Sequence, residues 1–133
     1  MKRSASKGRL AEKALRAFAL GYPEAHEDFP WGDRVIKVRK KVFVFMGQSG
    51  DGFGLSAKLA ETAPMALLLP FASPTRYGLG KAGWVTARFA PREAPPLDLL
   101  RAWIDESYRA VAPKTLVAKL PGQLSASARK PRR

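Results

Sequence analysis

The sequence predicts an α+β domain in which one antiparallel sheet lies under helices. Three observations support this expectation. Short runs of β-branched and aromatic residues follow one another closely, amphipathic helical patterns stand apart from them, and the length of 133 residues fits one domain. We predict a folded domain over residues 10–120, with basic disordered tails at residues 1–9 and 121–133.

The first predicted element is a helix over residues 8–20. Leu10, Ala14 and Phe18 recur at helical spacing and define its apolar face, with Ala17 beside them. Gly21 directly follows and is a common helix-terminating residue. The helix is therefore expected to pack on the sheet through this face.

A hairpin follows a predicted loop over residues 24–32. Residues 35–38 and 42–45 are β-branched and aromatic, as strands prefer. Three consecutive cations at positions 39–41 connect them, where tight turns usually have glycine or asparagine. Residues 47–54 are predicted to be a glycine-rich turn.

The second half of the chain predicts two strands and two helices. The strands are expected at residues 53–59 and 84–89, with a short helix at 60–69 and an irregular stretch to Gly83. The last helix is the best defined. Its apolar stripe of Leu97, Leu100, Ile104, Tyr108 and Val111, with Trp103 beside it, ends at Pro113.

The residue types exclude several classes of site. The chain has no cysteine and a single histidine, which rules out disulfides, thiolate chemistry and the usual zinc clusters. We expect no metal and no cofactor. The apolar runs are too short to span a bilayer, so we expect a cytoplasmic protein without membrane association.

Two motifs resemble catalytic or cofactor signatures without completing them. Residues 78–83 match G-x-G-x-x-G, but a strand is predicted after them, whereas dinucleotide binding requires a helix. Residues 47–51 resemble a nucleophile elbow without its closing glycine, and His26 is the only candidate base. We therefore expect no catalytic residues.

Charge is the strongest functional signal. The formal net charge is +13, and both predicted tails contain basic side chains and no carboxylate. Such an excess favours a polyanionic partner, most commonly nucleic acid. We predict that cations of the hairpin and of the second glycine-rich turn form a phosphate-binding surface with Trp84 as a stacking candidate: Arg34, Lys37, Arg39, Lys40, Lys41, Arg76, Lys81, Trp84 and Arg88.

Three segments together resemble the YjbR/MmcQ family of small bacterial proteins. They are Phe29-Pro30-Trp31-Gly32 before the hairpin, Lys81-Ala82-Gly83-Trp84-Val85-Thr86, close to a K-x-x-W-x-T signature, and Ser107-Tyr108 in the closing helix. The resemblance covers about residues 10–115. It implies a fold similar to that of the frataxin homologue CyaY, with helices on one face of an antiparallel sheet.

The same resemblance implies DNA binding, because family members are commonly described so by analogy with a double-wing arrangement. It carries over no catalytic residues. The predicted function is therefore a non-enzymatic DNA-binding protein of low sequence specificity, with a monomer favoured. The alternatives are a protein-interaction module that docks through the sheet or residues 29–31, and, less favoured, a small-ligand or metal-dependent enzyme.

Overall fold

Six strands form one antiparallel sheet in the computed structural model, which describes residues 7–29, 34–49 and 52–121. The strand order is β1-β2-β3-β4-β6-β5. The strands are β1 (Ala25–Asp28), β2 (Arg34–Val38), β3 (Lys41–Ser49), β4 (Gly52–Lys58), β5 (Ala72–Pro74) and β6 (Trp84–Phe89). This confirms the expected α+β class with an antiparallel sheet.

Two long helices, α1 (Lys7–Leu20) and α3 (Leu97–Val111), pack on one face of the sheet. Two single-turn helices complete the set, α2 (Ala63–Ala66) and α4 (Lys114–Val117), and a 3₁₀ helix covers Leu79–Ala82. Within the described residues no helix is long and apolar enough to cross a membrane.

Antiparallel cross-strand partners share a face of the sheet, so the register assigns each side chain to one side. The helix-covered face carries Ile36, Val44, Leu55, Ala57 and Ala87, all buried in the core. A β-bulge beside Ile36 breaks the alternation. As a result Phe43 and Val44, although consecutive, both belong to the core.

The buried face was predicted correctly for α3 but not for α1. In α3 the expected stripe is confirmed, with Leu100, Ile104 and Tyr108 fully buried. In α1 the buried residues are Gly8, Ala11, Leu15 and Ala19, and the predicted stripe through Leu10 is wrong. The helix is rich in alanine, so two of its faces read as apolar, and the one bearing Leu15 faces the sheet.

Several predicted boundaries differ from the structure. Residues 25–28, expected in a loop, form β1, because their backbone pairs with β2 in antiparallel register. The glycine-rich turn predicted at 47–54 is largely strand, since β3 extends to Ser49 and β4 begins at Gly52. The helix predicted at 60–69 is only the single turn α2, with Pro64 in it. Helix α1 begins at Lys7, inside the stretch assigned to the first tail, and residue 121 of the second tail is described; residues 1–6 and 122–133 lie outside the described residues.

Candidate nucleic-acid interface

One end of the sheet collects cations from three separate segments. The β2–β3 turn joins Val38 to Lys41, β4 ends at Lys58 opposite Trp84, and Thr75 follows β5 beside the same Trp84. Because neighbouring strands are antiparallel, the β2–β3 turn, the last residue of β4 and Thr75 all lie at the same end of the sheet. We call this surface the basic end and define it as Lys40, Lys41, Lys58, Arg76 and Lys81.

Most of the basic end is open to solvent. Lys40, Lys41, Arg76 and Lys81 are exposed, and Lys58 is half-buried. Strands β3 and β6 are separated only by β4 and are therefore about 10 Å apart, two strand spacings. Glu61 is an exposed carboxylate in the connection after β4. The cations of this surface have no salt bridge to any carboxylate within the described residues.

Three other cations that were predicted to contact phosphate are bound by carboxylates of the protein itself. Arg34 binds Glu12 of α1 at 2.7 Å and also binds Glu27. On the same strand Lys37 binds Asp28 at 3.1 Å. Their charge is therefore largely satisfied inside the protein, and phosphate would have to compete for them.

The third engaged cation is Arg39 in the β2–β3 turn. Its guanidinium donates two hydrogen bonds to the Glu24 carboxylate, at 2.6 and 3.0 Å. Its φ of 59° lies in the left-handed region that a tight turn requires, and Glu24 has a φ of 60°. The ion pair thus joins two residues in uncommon backbone conformations across the start of β1 and the turn.

The ion pairs depress the pKa values of three carboxylates in and just before β1. A hydrogen bond from Arg16 is the main reason that the pKa of Glu27 is lowered, with Arg34 adding to it. The pKa of Glu24 is lowered by Arg39, and that of Asp28 by Lys37. These carboxylates are therefore ionised at neutral pH and partly neutralise the cations of β2.

The last two predicted contacts lie on the face opposite the helices. Arg88 is exposed on β6, at the end of the sheet remote from the basic end. Trp84 is only 8% exposed and packs edge-on against Phe45 with ring centroids 5.3 Å apart. Trp84 therefore offers little surface for stacking on a base. Trp103 is buried in the core, and Trp31 lies outside the described residues.

Sequence reasoning missed a line of hydroxyl groups on this second face. The Thr86 hydroxyl lies 2.7 Å from that of Ser56 and 2.9 Å from that of Thr75. Ser56 and Thr86 are cross-strand partners and are both buried. The alternation along β4, in which Gly54 and Ser56 stand between apolar residues, is the signal that could have placed them on one face.

Neither incomplete motif acquires a catalytic arrangement from its surroundings. The segment Gly78–Gly83 forms a turn and the 3₁₀ helix before β6, so no long helix follows the glycines. His26 is exposed on β1, with its Nδ1 3.3 Å from the Glu24 carbonyl oxygen. No cluster of His, Asp or Glu suited to a metal ion occurs among the described residues.

Comparisons with known proteins agree on the fold. The family model described as YjbR matches residues 20–110. Among solved structures, the crystal structure of the Deinococcus radiodurans protein DR2400, with a domain described as DUF419, is similar: the TM-score is 0.66 at 23% identity, covering 89% of this chain and 94% of that one. The comparison with curated proteins gave no match.

Proposed function

The chain belongs to the YjbR family, and we propose that it is a non-enzymatic DNA-binding protein of low sequence specificity. The observation that carries the proposal is the convergence of Lys40, Lys41, Lys58, Arg76 and Lys81 at one end of the sheet. These side chains would bind phosphates. Because phosphate contacts position a protein without reading bases, specificity would be low.

The surface is suited to a duplex in its dimensions and its charge. Lys41 begins β3 and Lys81 shortly precedes β6, and these two strands are about 10 Å apart by strand spacing, which is on the scale of a DNA groove. The proposed contacts exclude Arg34, Lys37 and Arg39, which carboxylates already bind. The basic segments 1–6 and 122–133, which lie outside the described residues, would add sequence-independent attraction.

The finer fold assignment and the cellular setting belong to the same proposal. Packing of α1 and α3 on one face of an antiparallel sheet supports a CyaY-like architecture. We propose a cytoplasmic monomer that acts without cofactor or metal and away from membranes. Its partner would be DNA.

A salt series tests the proposal directly. Fluorescence anisotropy of a labelled duplex should report binding by the full chain at low salt, and the affinity should fall steeply as salt rises because bound phosphates release counterions. Two duplexes of unrelated sequence should bind with similar affinity. Binding that is undetectable at low salt, or that does not respond to salt, would refute it.

A protein-interaction module remains the second candidate, and one observation favours it. Met65 in α2 and Leu68 just after it are 73% and 84% exposed, and exposed Leu67 lies between them in sequence. Exposed apolar residues in a group mark interaction surfaces. Deleting residues 1–6 and 122–133 separates the two functions: a nucleic-acid binder should lose much of its affinity for DNA, whereas a module should keep its protein partner.

A further inference from the structure

A groove on the face opposite the helices has the features of a small-molecule site. It has a volume of about 540 Å³, within the range of ordinary ligand pockets. Strands β3, β4 and β6 line it, with Phe45, Gly47, Gly54, Ser56, Thr86 and Arg88 around it. It lies away from the basic end and plays no part in the proposed DNA contacts.

The floor of the groove is bare backbone. Gly47 and Gly54 are cross-strand partners, so both are missing a side chain at the same place on the sheet. A Cβ at Gly47 would meet nothing within 4 Å, and one at Gly54 would meet only the Ala87 carbonyl oxygen at 3.7 Å. Packing therefore does not require these glycines, and their effect is to leave a flat gap between Phe45 and Arg88.

Arg88 supplies a positive charge at the edge of this gap. It is the cross-strand partner of Gly54, is exposed, and binds no carboxylate within the described residues. A single guanidinium matches one carboxylate, sulfonate or phosphodiester group in two parallel hydrogen bonds. It thus favours a ligand with one negative charge.

The hydroxyl line supplies a hydrogen-bond donor beside this charge. Three hydroxyls, of Ser56, Thr86 and Thr75, form two hydrogen bonds with one another. Each hydroxyl has one hydrogen to donate, so one donor of the line is left over. Ser56 is the terminal member that lines the groove, and it lies diagonally from Arg88 on the same face. When Thr75 donates to Thr86 and Thr86 donates to Ser56, the hydrogen left over belongs to the Ser56 hydroxyl and would point at the ligand.

We propose that this groove binds a small organic anion with a flat body. Arg88 and the Ser56 hydroxyl would hold its single anionic group, and the flat part would lie over Gly47 and Gly54 against Phe45. The proposal requires neither DNA binding nor the basic end.

Two fluorescent probes with the same ring system test it in the full chain. The probe 8-anilinonaphthalene-1-sulfonate is a monoanion with a flat naphthalene ring, and N-phenyl-1-naphthylamine is its uncharged counterpart. Arg88→Gln should weaken binding of the sulfonate about tenfold, the loss expected for one charge-assisted hydrogen-bonded contact, and leave the uncharged probe unchanged. Arg76→Gln, which removes the same charge at the basic end, should leave both unchanged.

A second variant fills the floor of the groove and tests the proposal without changing Arg88. Gly47→Val adds a side chain that strands favour in space that is open, so the protein should remain folded. It should weaken both probes by blocking the flat gap, with an unchanged far-ultraviolet circular dichroism spectrum. Equal sulfonate affinity in the wild type, Arg88→Gln and Gly47→Val proteins would overturn the proposal, because the probe would then bind elsewhere.

Discussion

Buried polar side chains of α3 show how single residues tie this molecule together. Asp105 is 2% exposed, accepts a 2.6 Å hydrogen bond from the Tyr22 hydroxyl and binds Arg109 at 2.9 Å. Burial and this bond raise the pKa of Tyr22 far above its ordinary value. A buried carboxylate needs such partners because an unsatisfied one is costly. The residues after α1 are thereby fastened to α3.

Replacing Tyr22 with phenylalanine should therefore destabilise the protein. The ring contacts with Tyr108, whose centroid is 4.6 Å away, are kept, but Asp105 loses a donor. We expect a loss of about 1–3 kcal/mol in the free energy of unfolding, measured by urea denaturation. Tyr77→Phe is the matched control, since Tyr77 is 94% exposed and should show no loss. Equal stability of the two variants would contradict this role.

Acid should weaken the ion pairs of β1, and the sign follows from the pKa of Glu27. That pKa lies below the ordinary value of 4.5 in the folded protein, chiefly because of Arg16. The carboxylate therefore contributes stability above pH 4.5, and this contribution is lost as the pH falls through its lower folded-state pKa. Glu27→Gln should flatten the fall in unfolding free energy below about pH 5, measured by denaturation at each pH. Arg16→Gln should flatten it too, and unchanged slopes in both would refute the assignment.

At the scale of elements, α3 is joined to the sheet by polar bonds as well as by its apolar stripe. The Ser107 hydroxyl donates to the Phe43 carbonyl at 2.6 Å and accepts from the Lys58 amide at 2.9 Å. The Glu106 carboxylate accepts from the amides of Glu61 and Thr62. Ser107 thus connects α3 to both β3 and β4 next to Lys58, and so helps to position the basic end.

Loss of the Ser107 hydroxyl should loosen this junction. Ser107→Ala leaves the buried Phe43 carbonyl and the partly buried Lys58 amide without their partner, and we expect a destabilisation of roughly 2 kcal/mol. Chemical denaturation measures it, with Ser73→Ala on the exposed edge strand β5 as the control. If the two variants unfold at the same denaturant concentration, the polar junction is unimportant.

At the scale of the whole molecule, apolar patterns predicted more than polar ones did. The β-branched and aromatic residues of β2 and β6 and the apolar stripe of α3 were enough to predict the sheet and the closing helix. Strand β1 was missed because Ala-His-Glu-Asp has no apolar alternation, and only its pairing with β2 makes it a strand. The acids that engage Arg34, Lys37 and Arg39 were therefore read as a separate loop.

The residues of the candidate site were likewise predicted only in part. Local clustering identified Lys40, Lys41 and Lys81 as candidates, but their relation depends on strand order, which places only β4 between β3 and β6. No local pattern shows that order. Lys58 was missed for this reason, and Arg88 was grouped with the same surface although it lies at the other end of the sheet.

The measurement that tests the central claim is the salt dependence of DNA binding in two charge-matched variants. Lys41→Gln with Lys81→Gln removes two cations of the basic end, and Lys13→Gln with Arg92→Gln removes two exposed cations elsewhere. Fluorescence anisotropy should show weaker binding for the first variant, with the slope of log affinity against log salt reduced by about 0.9 for each lysine. The second variant should bind like the wild type. Equal affinities and slopes in the two variants would contradict a phosphate-binding surface at this end of the sheet.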